Sequence, residues 1–212
     1  MLVAKHGGRN RVVAASSLVG RKFPPSRTSP SSRIVRLLLD SLAIRDPETA
    51  RHCQRVSQYS TLLAKQLGLG ENEIWIAEVG ALLHDIGKMG LPDRVLQKRS
   101  TLDPSERELV NLSLDTSYDI ARNAFGDGPV SEAVRGSRVW YQDASRFNGG
   151  RLPIAARIVA IADAYDAMIS PHSYREGFSR EQAIEELERC SGTQFDGELV
   201  RHFNAMVNVR EG

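Results

Sequence analysis

The chain has 212 residues, of which 41% are hydrophobic and 25% charged, and its formal net charge is +2. That is the balance of a water-soluble protein with room for one sizeable core, and no apolar run approaches the length needed to cross a bilayer. Its two cysteines, Cys53 and Cys190, lie far apart and in no CxxC arrangement, so they suggest neither a disulfide framework nor a zinc knuckle and fit a reducing cytoplasm.

Residues 1–36 carry eight Lys or Arg and no Asp or Glu, which leaves 20 basic against 26 acidic residues in the remainder. Residues 1–30 are rich in Ser, Arg, Gly and Pro, with no helical period and no signal-peptide core, and are expected to be a disordered basic tail or linker. An organellar targeting peptide, or an arm touching nucleic acid or anionic membrane, would share that composition. The acidic body, with only 6% aromatic residues, argues against a nucleic-acid-binding surface elsewhere.

Residues 31–212 read as one all-α domain, a bundle of about seven or eight helices. A first helix is expected at 31–45. The second opens with Asp46 as N-cap and Pro47 at the first helical position, runs through Val56, Tyr59, Leu63 and Leu67, and stops at Gly68 or Gly70. A third is expected at 71–86. The next repeats the Asp-Pro start at Asp103, adds Glu106 as a capping box, and stops at Gly126. Helices at 129–141, at 152–169, from Ser179 with its Gln182 capping partner, and at 196–208 complete the set. No alternating strand of useful length is found.

The stretch "ALLHDIGKMG", residues 81–90, ends an apolar helix in adjacent His84 and Asp85. Burying an imidazole and a carboxylate is costly unless each is paired or holds a metal. Glu48 and His52 lie one turn apart on one face of the second helix, and Asp163 sits in the apolar "RIVAIADAYDAM" with Asp166 one turn further on. Together these helices could place two imidazoles and two or three carboxylates around one point, a mixed N/O set suited to Mn, Fe, Zn, Co or Ni rather than calcium. Taken singly, each residue has an ordinary alternative: a hydrogen-bonded core histidine, a buried inter-helix hydrogen bond for Asp163, and a helix-dipole partner for Glu48.

The order H…HD…D, given by His52, His84, Asp85 and Asp163, resembles the HD superfamily of metal-dependent phosphohydrolases. The blocks "ETARHCQRVSQYSTLLAKQLGL", "ALLHDIGKMGLPDRVLQKRSTLDPSERELV" and "LPIAARIVAIADAYDAMISPHSYREGFSREQAIEELERCSGTQFDGELVRHF" resemble its HD-GYP subfamily, over residues 46–203. That subfamily comprises bacterial cyclic di-GMP phosphodiesterases with two or three metals. The resemblance implies a metal site of His52, His84, Asp85 and Asp163, with Glu48 as a ligand of an extra metal. It further implies that Asp85 acts as general base and that Lys88 meets a substrate phosphate as a point charge. Arg175, kept from the RPYR block in which His172 replaces the first Arg, is expected to join Lys88 in binding substrate.

The chain also departs from that pattern. No histidine lies between His84 and His172. Ser113 and Ser117 stand where the subfamily has a histidine and a glycine, Ser137, Arg138 and Val139 replace its HHE, and "YQDASRFNGGRLP" replaces the GYP loop. The lost histidines are those of the second and third metals, so a single divalent cation is expected, one of Mn, Fe, Zn, Co, Ni or Mg. Arg138 could supply part of the missing positive charge by pairing with a phosphate, or could be an exposed arginine moved off the site. Two functions stay open: a mononuclear phosphohydrolase of a nucleotide or cyclic dinucleotide, and a degenerate module that binds such a ligand or a protein partner in bacterial signalling. Regulation would come from a partner or from self-association as a homodimer.

Overall fold

A computed structural model describes residues 3–4, 11–12, 30–98, 100–170 and 177–208. The described residues form nine α-helices: α1 (Pro30–Arg45), α2 (Pro47–Gln66), α3 (Glu71–Leu83), α4 (Asp93–Leu96), α5 (Pro104–Phe125), α6 (Pro129–Gly136), α7 (Ile154–Ile169), α8 (Arg180–Arg189) and α9 (Gly197–Asn208). Short 3-10 turns cover Ile86–Gly90, Tyr141–Arg146 and Asn148–Gly150. Extended pairing among the described residues is limited to Val3–Ala4 against Arg11–Val12 and a bridge between Ser191 and Phe195. Apart from those two short pairs, the tail expected at 1–30 lies outside the described residues, which begin the bundle at Pro30.

The caps form as their residue types require. Asp46 accepts from the Glu48 and Thr49 amides, and Asp103 and Glu106 accept from one another's backbone N–H. Ser179 and Gln182 do the same ahead of α8. Gly126 closes α5 at φ 80°, a conformation that a side chain disfavours. Three expected helices are shorter than the sequence suggested. α3 ends at Leu83 with His84 as its C-cap, the backbone departs from helical angles at Asp85, and Ile86–Gly90 tightens into a 3-10 turn. α6 ends at Gly136, and Trp140 then adopts an extended conformation before the Tyr141–Arg146 turn. α7 starts only at Ile154, because Pro153 is its N-cap.

α3, buried from Ile76 to Leu83 except at Glu78, occupies the centre, packed against α2, α6 and α7. On the far side of α2, Tyr59, Tyr165 and Phe203 tie α2, α7 and α9 into one aromatic cluster with ring centroids 5.0–6.0 Å apart. Gly80 lets α3 approach α6, since a Cβ there would stand 2.9 Å from that of Ala133.

Gly87 is the tightest point of the fold near the HD turn. A Cβ on it would run into the Ser113 carbonyl oxygen and stand 2.7 Å from the Ser117 amide nitrogen, both in the backbone of α5. The Gly87 amide in turn donates to Ser117 Oγ at 2.9 Å. Gly87→Ala is therefore expected to destabilise by about 2–3 kcal/mol, the upper range for overpacking against rigid backbone. Gly90→Ala, where a Cβ meets nothing within 4 Å, should be close to neutral. Urea unfolding of both variants checks this, and equal midpoints would contradict the packing.

Candidate metal centre

Three helices supply the chemistry. α2, fixed by its Asp46 cap, presents His52 and Arg55 three residues apart on one face. α3 delivers His84 at its C-terminal end, followed by Asp85 and, from the 3-10 turn, Lys88. α7 presents Asp163 and Asp166, again three apart.

Both imidazoles are anchored through Nδ1. The His52 Nδ1–H donates to Asp166 Oδ2 at 2.7 Å, and the His84 Nδ1–H donates to the Ala81 carbonyl at 2.7 Å. The Nε2 atoms are thereby aimed at a common point, with the ring centroids 5.2 Å apart. Asp163 Oδ1 stands there, 3.0 Å from His52 Nε2 and 3.6 Å from His84 Nε2. Asp85 Oδ2 is 3.6 Å from His84 Nε2 and 3.9 Å from His52 Nε2, and accepts from Lys88 Nζ at 2.5 Å.

His52, His84 and Asp163 each offer one ligand atom within 4.8 Å of the others. His84 is buried, and its Nε2 has no hydrogen-bond partner, since 3.6 Å is too long for one. A buried nitrogen left without a partner but facing two carboxylates fits a divalent cation, which would give it the missing bond.

The electrostatics describe the cluster without a cation. Burial pushes both imidazoles down, but Asp163 and Asp166 hold His52 above its ordinary value, and Asp85 and Asp163 hold His84 well above it. Burial pushes the carboxylates up, yet Asp85 stays below the usual range because of His84 and Lys88. His52 and His84 hold Asp163 far below it. Lys88 is raised by Asp85 against its own burial. Protons thus stand where a cation's charge would.

Asp166 stands one turn beyond Asp163 on α7. It is fully buried, taking both a 2.6 Å bond from Arg55 Nε and a 2.8 Å bond from Arg55 Nη2 besides that of His52, with Ser170 Oγ at 3.3 Å. Arg55, three residues after His52 as Asp166 is three after Asp163, was readable only as a matching spacing on two helices. Glu48 is exposed in the first turn of α2 and does not join the group of potential ligands. Arg138 pairs with Asp115 Oδ1 at 3.0 Å and makes no contact with the His/Asp cluster. Ser113 and Ser117 are buried, with their hydroxyls donated to the Val110 and Ser113 carbonyls. Arg175, with His172 and Tyr174, lies outside the described residues.

A family model described as HD domain matches residues 36–199. The chain belongs to the HD domain family. Its relatives bear out the resemblance to cyclic dinucleotide phosphodiesterases of the HD-GYP type. It is 33% identical over 168 residues to the cyclic di-GMP phosphodiesterase of Thermotoga maritima, covering 75% of this chain and 45% of that protein. It is 31% identical over 189 residues to the 3'3'-cGAMP-specific phosphodiesterase 2 of Vibrio cholerae, covering 85% and 36%. The chain thus spans less than half the length of these curated relatives. Among solved structures, the HD domain of the L. monocytogenes phosphodiesterase PgpH in complex with cyclic-di-AMP superposes with a TM-score of 0.60 at 18% identity, over 83% of this chain and 98% of that one. Bd1817, a HDG"Y"P protein from Bdellovibrio bacteriovorus, gives 0.59 at 18% identity, over 84% and 62%. Both establish the HD fold. No helix among the described residues is long and apolar enough to cross a membrane.

Asp166→Asn should keep the shape but lose the charge that orients His52 and pairs with Arg55. Divalent-metal affinity, measured by chelator competition, is expected to fall about 10–100-fold, and an unchanged affinity would show that Asp166 is only a packing group. A second expectation concerns pH. The raised His52 and His84 contribute stability that is full below about 6.5 and is lost as pH rises through their folded values, while the lowered carboxylates contribute above about 3.8 and lose it only as pH falls. In chelator, melting temperature should therefore decline from about pH 6.5 upward. With added Mn(II) the stabilisation should grow over the same window, since the imidazoles must release protons to ligate. Parallel curves with and without metal would contradict this.

Proposed function

We propose that this chain is a metal-dependent phosphodiesterase of cyclic dinucleotides, cyclic di-GMP or a close relative, acting through a single-cation site of His52, His84, Asp85 and Asp163. The observation that carries the reading is the convergence of two Nδ1-anchored imidazoles on Asp163, with His84 Nε2 buried and unpartnered. The names of its relatives as phosphodiesterases supply the substrate class. A bound divalent cation would supply Lewis-acid charge and lower the pKa of a coordinated water.

The residues divide the remaining work. Asp85, kept ionised by His84 and Lys88, accepts a proton from the attacking water. The Lys88 ammonium has three donors and spends one on Asp85, so two remain for a phosphate oxygen. Asp166 and Arg55 hold His52 in place without touching substrate. The expected domain organisation, residues 31–212 as one HD unit behind a basic tail, belongs to the same proposal.

A second reading, a module that binds the nucleotide or a protein partner without hydrolysing it, is favoured by the serines at 113 and 117. Their hydroxyls are committed to backbone carbonyls, so α5 offers no ligand for a further metal there. The two readings separate in one experiment: metal content of the purified chain, with turnover of cyclic di-GMP and bis(p-nitrophenyl) phosphate. About one equivalent of metal, and turnover that falls about 10²–10⁴-fold in Asp85→Ala, supports the enzyme. Bound metal without turnover selects the binding module, and absence of both sinks the two together.

A further inference from the structure

A cavity of about 570 Å³ opens between the end of α6 and the turn that follows, walled by Arg135, Arg138, Trp140, Gln142 and Phe147, with Asp143 the one carboxylate on its lining. None of these residues belongs to the His/Asp cluster. The volume falls in the range that small-molecule sites occupy. We propose that this cleft is a nucleotide-binding site separate from the metal centre, in which Trp140 stacks on the base and Arg138, with Arg135 beside it, receives the phosphate.

Trp140 is 50% exposed and lines the cleft, so a large aromatic side chain is open to a ligand there. The backbone that follows it is pinned to the C-terminal turn, Tyr141 N–H to the Gln194 carbonyl at 3.0 Å and Gln142 N–H to the Thr193 carbonyl at 2.9 Å. A stacking platform that is already ordered loses little freedom when a base lands on it.

The cations complete the chemistry. Arg135 lies over the rings of Tyr118 and Phe147 at 5.7 and 5.5 Å and makes no ion pair among the described residues. Its guanidinium therefore lies over two rings with its N–H donors not committed to a carboxylate among the described residues. Among the described residues Arg138 forms an ion pair with Asp115, whose side chain is 71% exposed, and a pair so open to water is weak enough for a phosphate to compete. A guanidinium carries five donors, so a bidentate phosphate can be accepted while Asp115 keeps one. An aromatic ring and two guanidiniums on one wall match a base joined to a phosphate, and neither half alone engages both.

The chain has two tryptophans, and Trp75 packs against Phe125 away from the cleft, so Trp75→Phe leaves Trp140 as the sole indole reporter. Titration of this variant in chelator with GMP should give saturable fluorescence quenching. Guanosine and ribose 5-phosphate should each bind at least tenfold more weakly. Arg138→Ala in the same background should weaken GMP about tenfold while leaving guanosine unchanged. His84→Ala should leave GMP affinity unaltered, which separates this site from the metal centre and makes the result independent of whether the chain hydrolyses anything. Absent quenching, equal affinity for GMP and guanosine, or quenching abolished by His84→Ala would each overturn the proposal.

Discussion

The Asp166 carboxylate is the constraint on which the geometry of the centre depends. It is fully enclosed between α2 and α7, where an ionised carboxylate without partners would be expelled or protonated. It persists as an anion because Arg55 donates twice, His52 once, and Ser170 stands close. The same bonds fix the register of α2 against α7 and turn the far nitrogen of His52 toward Asp163. Were α7 to shift by one turn, Asp163 and Asp166 would both leave their partners. The apolar surface around them sets how closely the helices pack, and the carboxylate sets which residues face one another.

Around that anchor the charges balance in an order that can be followed. Asp85 is an acid in a poorly solvated place and Asp163 faces the same point from a half-exposed position, and without a cation their compensation comes from Lys88 and from protons on the two imidazoles. Such a cluster is stabilised by partial protonation and strained when the protons leave. A divalent cation would relieve the same strain by another route, so proton and metal compete for one set of nitrogens. In the proposed enzyme this competition also governs Asp85, whose Oδ2 is shared between Lys88 and the centre.

Much of the architecture was readable because local chemistry agreed with global packing. Asp46, Asp103 and Ser179 are side-chain caps whose acceptors reach the expected amides, and the order H…HD…D lands on three helices that do meet. The misses have physical causes. The helix expected to reach residue 86 stops at Leu83: His84 keeps helical backbone angles, but Asp85, at φ −114° and ψ 9°, turns the chain off the helical path, and nothing in a 3.6-residue period signals that. The role of Asp166 depends on Arg55, 111 positions away in sequence, which spacing cannot link. Glu48 follows the right period on the right helix, yet a first-turn side chain pointing to water is indistinguishable in sequence from one pointing inward.

The departures on α5 carry the argument one step further. A histidine at 113 would need space and an acceptor beside Gly87, but the backbone of α5 presses against that glycine and Ser117 Oγ already receives its amide. Small hydroxyls at 113 and 117 thus suit a close approach of α5 to the HD turn, in which both bond only to the backbone. With no imidazole there, α5 offers no nitrogen ligand beside the HD turn. Arg138, two residues past the end of α6, is held by Asp115 from the same turn of α5. One helix segment therefore fixes the HD turn on one side and the arginine-lined cleft on the other.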